Sequence, residues 1–143
     1  MSQDGTIVLR EAFPDAGDYR RLRSLAGLSP KSDDAARRGL RGTLFGVRLL
    51  DGERVIGMGR IVGDGGCFFL VVDIAVDPAY QKRGLGKRIL AALDAWLSAN
   101  APPTAHVALF ADGDAKHLYA QYGFVETGPA SVGMAYTVRA ENG

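Results

Sequence analysis

The chain is poor in cysteine, in net charge and in long apolar runs, and each shortage excludes something. Cys67 is its one cysteine, so no intramolecular disulfide can form and no cysteine set can hold zinc. Lysine and arginine total 17 against 16 aspartates and glutamates, a formal net charge of +1. Bulk electrostatic attraction to nucleic acid or to a membrane surface is therefore not expected, and any anion has to be held by a local site. No apolar run reaches the roughly 20 residues that cross a bilayer. Residues 1–12 lack the basic start and apolar core of a secretion signal, so the expectation is a soluble protein of the reducing cytosol. What remains is ordinary: 47% hydrophobic and 23% charged residues leave no long stretch that reads as disordered. A length of 143 residues suits one domain, 1–143, with one core.

Periodicity predicts a strand at 6–12, broken by Pro14, Asp15 and Gly17. Tyr19, Leu22, Leu25 and Ala26 fall at helical spacing over 18–26, and Ser32 offers an N-cap for a second helix at 33–40. Residues 43–50 and 54–62 read as strands joined at Asp51-Gly52, a hairpin signal. The run 67–76 has nine apolar residues in ten and reads as a central strand buried on both faces. Leu85, Ile89, Leu93, Trp96 and Leu97 form the apolar stripe of a helix over 84–98, stopped by Pro102-Pro103. A strand at 104–111, a helix from Ala115 to about Tyr122, and strands at 124–127 and 132–138 complete the pattern. The order β-α-α-β-β-β-α-β-α-β-β predicts one mixed α/β domain.

The stretch most informative about chemistry is 71–90. A buried strand ends at Asp77-Pro78, and Gly84 and Gly86 open the helix that follows. The first turn of a helix carries unpaired N–H groups and the positive end of the helix dipole. Glycine there lets a phosphate approach the backbone. Lys82, Arg83, Lys87 and Arg88 add positive charge beside the same turn. These features describe a pyrophosphate cradle. The P-loop pattern is absent from 81–88, and Ile89 stands where the dinucleotide fingerprint needs its third glycine.

The pattern that fits is Gln/Arg-x-x-Gly-x-Gly/Ala after a strand ending in Val-x-Pro, here Asp73-Ile74-Ala75-Val76-Asp77-Pro78-Ala79-Tyr80-Gln81-Lys82-Arg83-Gly84-Leu85-Gly86. It resembles motif A of the GNAT superfamily of N-acetyltransferases. About thirty residues on, Leu118-Tyr119-Ala120-Gln121-Tyr122-Gly123-Phe124 is similar to the superfamily's helix ending Leu-Tyr-x-x-x-Gly-Phe. The order of elements outside the motifs also agrees, so the resemblance covers nearly the whole chain. It implies a mixed, mostly antiparallel sheet of about six to seven strands with about four helices, splayed between the strand at 67–76 and the strand at 104–111. It implies acetyl-CoA as co-substrate, no metal, a small-molecule or peptide amine as acceptor, and pairing of two copies through the last strands. A non-catalytic acyl-CoA-binding domain of the same shape is the alternative.

By the same resemblance, Ile74, Ala75 and Val76 pair with the pantetheine arm, and the N–H of Val76 donates to the oxyanion. Gln81, Lys82, Arg83, Gly84, Leu85, Gly86 and Lys87 hold the pyrophosphate. Tyr119 reaches the sulfur and acts as general acid. A phenol titrates near 10 and a thiol near 8.5, so a neutral tyrosine can supply a thiolate's proton. The other reading of Tyr119 is an aromatic core residue, and Tyr122, one turn on, is a possible substitute. Asp73 interrupts an apolar strand. It is a candidate base or amine-binding group, or a carboxylate satisfied by backbone or by Arg60. His106 and His117 read as structural or solvated, Cys67 as a core residue, and Asp114 as a helix N-cap. The asparagine that some relatives carry after the fifth strand is missing from Phe110-Ala111-Asp112-Gly113-Asp114. In 19–42, Arg20, Arg21, Arg23, Lys31, Arg37, Arg38 and Arg41 outnumber Asp33, Asp34 and the adjacent Asp18. Either an anionic acceptor or a solvated helical face accounts for that excess.

Overall fold

The computed structural model describes residues 6–139. Its elements are β1 (Ile7–Arg10), α1 (Ala16–Leu25), α2 (Asp33–Leu40), β2 (Phe45–Asp51), β3 (Arg54–Gly63), β4 (Phe68–Val76), a 3₁₀ turn (Pro78–Tyr80), α3 (Leu85–Asn100), β5 (His106–Ala108) and α4 (Ala115–Ala120). Local chemistry explains the helix starts. Asp15 accepts from the N–H of Asp18 to cap α1, and the Ser32 hydroxyl accepts from Ala35 to cap α2, each satisfying a donor that the first turn leaves unpaired.

One five-stranded sheet runs in the order β1-β2-β3-β4-β5. The first four strands form an antiparallel meander, and β5 lies parallel to β4. A parallel neighbour needs a crossover, and α3 provides it. The two faces of β3 divide the core. Met58 and Val55 pack with Tyr19 and Leu22 of α1 and Ala36 of α2. Gly57 and Gly59 point the other way, toward Ile89 of α3. A β-carbon at Gly59 would lie 2.5 Å from Ile89 Cγ2, so the close approach of α3 requires glycine there. Gly59→Ala is expected to destabilise the protein by about 1–3 kcal/mol through overpacking, read as a lower midpoint in urea.

The chain divides after Leu109 into two compact units, here described separately. In the second, α4 forms, but the strands expected at 124–127 and 132–138 do not; the described residues contain five strands instead of six or seven. Val125, Val132, Met134, Tyr136 and Val138 are exposed. Alternation reports two unlike faces but does not supply the partner ladder that a strand needs. Three further expectations are corrected. The strand expected at 104–111 is confined to 106–108, because Thr104 takes a left-handed φ of 76° and the Ala105 N–H closes a turn onto Pro102. Cys67 is exposed, not a core residue. It belongs to a turn whose N–H groups at Gly66, Cys67 and Phe68 converge on the Asp64 carboxylate, so the strand starts one residue later. β4 is interior to the sheet, yet only Phe69, Val71 and Ala75 of its residues are buried, and Phe68 is exposed although it pairs with β5.

Candidate cofactor and active site

The β4 edge is the first component of the site. β5 pairs with β4 only from Phe68 to Leu70, so from Val71 onward β4 has no strand partner on that side among the described residues. Its other side stays paired with β3, through an irregularity. Val72 opposes Arg60 and Ala75 opposes Met58, which leaves Asp73 and Ile74 together opposite Gly59. Asp73 takes φ 61°, the left-handed conformation that costs a non-glycine residue roughly 1 kcal/mol or more. This is a β-bulge, which re-aims everything after it.

The re-aiming follows from the ladder. The N–H of Asp77 donates to Ile56 O at 2.8 Å. Bonded residues alternate in an antiparallel pair, so Ala75 is directed to Met58, and Val76 turns its N–H and C=O to the opposite edge. The Gln81 side chain meets that C=O there, its Nε2 donating to Val76 O at 3.0 Å. Had the register at Val72 continued without the bulge, Val76 would oppose Ile56 and its N–H would be spent inside the sheet. Of Ile74, Ala75 and Val76, therefore, Val76 presents an amide to the open edge, Ala75 faces β3, and Ile74 lies in the bulge.

The second component is the turn into α3. Lys82 and Gly84 take positive φ values of 64° and 75°. Gly84 occupies the N-cap position with no side-chain cap. The first intrahelical bond runs from the Arg88 N–H to Gly84 O at 3.1 Å, so the N–H groups of Leu85, Gly86 and Lys87 precede the helical ladder. No atom lies within 4 Å of a β-carbon built on Gly84 or Gly86, and the first turn carries no acidic residue. Open backbone, unladdered donors and no competing carboxylate are what linked phosphates require. Lys82, Arg83 and Lys87 are exposed around it. The Arg83 guanidinium sits 5.4 Å from the Tyr80 ring centre. Arg88 instead reaches away, donating to Ile7 O at 2.9 Å. The loop is tied to the β2–β3 hairpin: the Tyr80 hydroxyl donates to the Asp51 carboxylate, and Asp77 pairs with Arg54 at 3.3 Å.

The Asp73 carboxylate is enclosed by donors. Arg23 Nη1 reaches Oδ1 at 2.5 Å, Arg60 Nε reaches Oδ2 at 2.7 Å, and the Tyr19 hydroxyl lies 3.1 Å from both oxygens. Arg60 also donates to Gly39 O and Thr43 Oγ1, and Arg23 to the carbonyl and hydroxyl of Ser29. Burial, followed by the Asp73 charge, raises the Tyr19 pKa above its usual value. Arg60 is the partner that the sequence suggests, whereas nothing local in the sequence marks Tyr19 and Arg23. Tyr19 carried only an apolar helical period, and Arg23 was one cation among many. A groove of about 750 Å³ beside α2 is lined by Arg37 and Arg41 of the basic excess but by none of the residues predicted to bind the co-substrate or to act in catalysis.

In the second unit, Tyr119 lies on α4, half-buried and edge-on to Phe124 with ring centres 6.3 Å apart. Burial and then the Asp112 carboxylate raise its pKa. Tyr122 follows the helix and donates its N–H to Tyr119 O. Asp114 holds the N-cap position but makes no capping bond with its side chain. His106, on β5 of the first unit, and His117 are exposed. Among the described residues, no group of His, Cys, Asp and Glu side chains gathers as a metal site, and no helix is long and apolar enough to cross a membrane.

Comparison with known proteins agrees with this geometry. The family model described as the acetyltransferase (GNAT) domain matches residues 42–126, spanning both components. A Staphylococcus aureus protein of unknown function, designated "Probable Acetyltransferase", is 40% identical, with TM-score 0.88, over 92% of this chain and 99% of that one. A GNAT family acetyltransferase from Streptococcus pneumoniae is 25% identical, with TM-score 0.74, over 94% and 99%. Glucosamine-6-phosphate N-acetyltransferase from Arabidopsis thaliana, at 14% identity and TM-score 0.66 over 92% and 99%, shares the fold. Comparison with curated proteins finds no match. With the family model covering more than half its length, the opened β4 edge and the glycine-opened helix belong to a member of the GNAT acetyltransferase family.

Proposed function

We propose that the chain transfers an acetyl group from acetyl-CoA to a primary amine of a small molecule or peptide. The observation that carries this reading is the sequel along one segment. The outward amide of Val76 ends the unpaired β4 edge, and the chain then leads directly into a helix start opened by Gly84 and Gly86. The residues present fit the co-substrate. Gln81, Lys82, Arg83, Gly84, Leu85, Gly86 and Lys87 would hold the pyrophosphate, and the β4 edge would take the amide-bearing arm as an added strand. When bound, acetyl-CoA supplies an acetyl thioester, a carbonyl already activated toward an amine. The Val76 N–H would donate to the carbonyl oxygen, where negative charge develops as the amine forms its C–N bond. By its place in the helix motif, Tyr119 would supply a proton to the sulfur as the C–S bond breaks. A phenol with a pKa near 10 is already neutral at physiological pH, and burial keeps it so, so that a proton is there to give.

Binding to the native state raises the melting temperature. Acetyl-CoA and CoA, each at about a hundred times Kd, are expected to raise Tm by roughly 8 °C, and ATP is expected to leave it unmoved. Stabilisation by ATP alone overturns the reading. An amine panel followed by free-thiol release then tests transfer; acyl-CoA binding without thiol release from any amine would make the chain a binding domain.

A further inference from the structure

We infer that Asp73 is the positioning residue of the β4 edge: Tyr19, Arg23 and Arg60 clamp its carboxylate and thereby hold the bulge that turns Val76 outward. Three observations converge on this. Asp73 is the bulge residue with left-handed φ, 61°, a conformation that aspartate adopts only with local support. Its side chain is 5% exposed and lies between guanidiniums that are 9% and 11% exposed. All three clamp residues come from elements outside β4. Tyr19 and Arg23 are on α1, and Arg60 is on β3, directly beside the bulge.

The clamp decides register because a slip of one residue would break it. With Val72 opposite Arg60, an unbulged β4 would place Ile74 opposite Met58 and Val76 opposite Ile56. Odd and even residues beyond Val72 would exchange faces. Asp73 would then leave the α1 face, and Arg23 and Arg60 would stay buried without a counter-charge, an outcome strongly penalised. In the bulged register Asp73 and Ala75 both face α1, and Ala75 packs against that core. The carboxylate thus acts through the backbone. Its lone pairs are engaged by the Arg23, Arg60 and Tyr19 donors, which does not suit it to take a proton from an amine.

This inference rests on the proposed use of the β4 edge, but the register can be read without ligand. In the antiparallel pair Gly57–Val76 the α-hydrogens are close, and a cross-strand NOE between them reports the bulge. Asp73→Ala removes both the clamp and a residue tolerant of left-handed φ. The Gly57–Val76 NOE is expected to be replaced by one between Gly57 and Ala75. The Kd for acetyl-CoA is expected to rise by at least about tenfold as backbone hydrogen bonds to the cofactor are lost. Asp73→Asn, which tolerates the same φ and keeps an acceptor oxygen but not the counter-charge, is expected to restore the NOE in part and to give a Kd between those of the parent and Asp73→Ala. If Asp73→Ala does not fold, Tyr19→Phe is examined in the same way and is expected to give a second, slipped set of β4 resonances.

Retention of the Gly57–Val76 NOE in Asp73→Ala, or of a single parent register in Tyr19→Phe, overturns the inference. So does an Asp73→Asn variant that keeps register and acetyl-CoA affinity yet loses turnover at every pH, because the carboxylate would then be the base. A slipped register with undiminished acetyl-CoA binding would support the clamp while removing the cofactor reading of the edge.

Discussion

Replacing Gly84 by glutamate is expected to raise the Kd for acetyl-CoA on the order of a hundredfold, about 2.7 kcal/mol, with the fold intact. The position explains both halves of that expectation. Gly84 has φ 75° and ψ 12°, so any other residue pays roughly 1 kcal/mol of backbone strain. No neighbour lies within 4 Å of an added β-carbon, so nothing clashes. A carboxylate at the N-cap also offsets part of the strain, because it accepts from first-turn N–H groups and lies at the positive end of the helix dipole. It thereby occupies the donors that the pyrophosphate needs and repels the phosphates as well. Circular dichroism should match the parent while isothermal titration finds little acetyl-CoA binding. Gly84→Ala, with the strain but not the charge, should fall between the two. Parent-like affinity in the glutamate variant would remove the loop from the site.

Tyr119→Phe is expected to lower kcat by at least about tenfold, a conservative bound on what general acid catalysis contributes, and to change the Kd for acetyl-CoA by only a few-fold, because a phenol seldom adds more than one neutral hydrogen bond to ground-state binding. The ring remains, and with it the contact to Phe124 at 6.3 Å. Only the hydroxyl is removed. The pH profile adds a second readout. Burial and Asp112 raise the phenol's pKa, so the protonated form persists past the usual value near 10. Turnover by the parent should decline only as pH rises through that raised value, and the variant should lack this limb. The same shift favours the folded state below about pH 10, and that contribution is lost as pH climbs through the folded pKa. Near-parent turnover in the phenylalanine variant would exclude Tyr119 from the chemistry and direct attention to Tyr122.

The parts of this molecule that were legible in its sequence are those set within a few residues. Ser32 caps α2 three residues ahead through Ala35, Asp51-Gly52 turns a hairpin between adjacent strands, and Gly84 sits at the mouth of an amphipathic helix. Where a partner is distant, the sequence carries no such mark. Val132, Met134, Tyr136 and Val138 alternate as a strand would, yet they lie exposed and unpaired, because alternation specifies faces and not a ladder. Asp73 stood out as a carboxylate in an apolar run. Its use depends on Tyr19, 54 residues away, and Arg23, 50 residues away, and no local rule connects them.

By itself the sequence determined the exclusions, the helix ends and the glycine-opened anion turn, since composition and short-range sterics act before any tertiary contact forms. Tertiary structure alone decided that Asp73 is clamped by two arginines and a tyrosine and that Val76 turns away from β3. Register is a property of two strands and the core that pins them, and a single residue's bulge reverses it without leaving a mark in hydrophobic pattern.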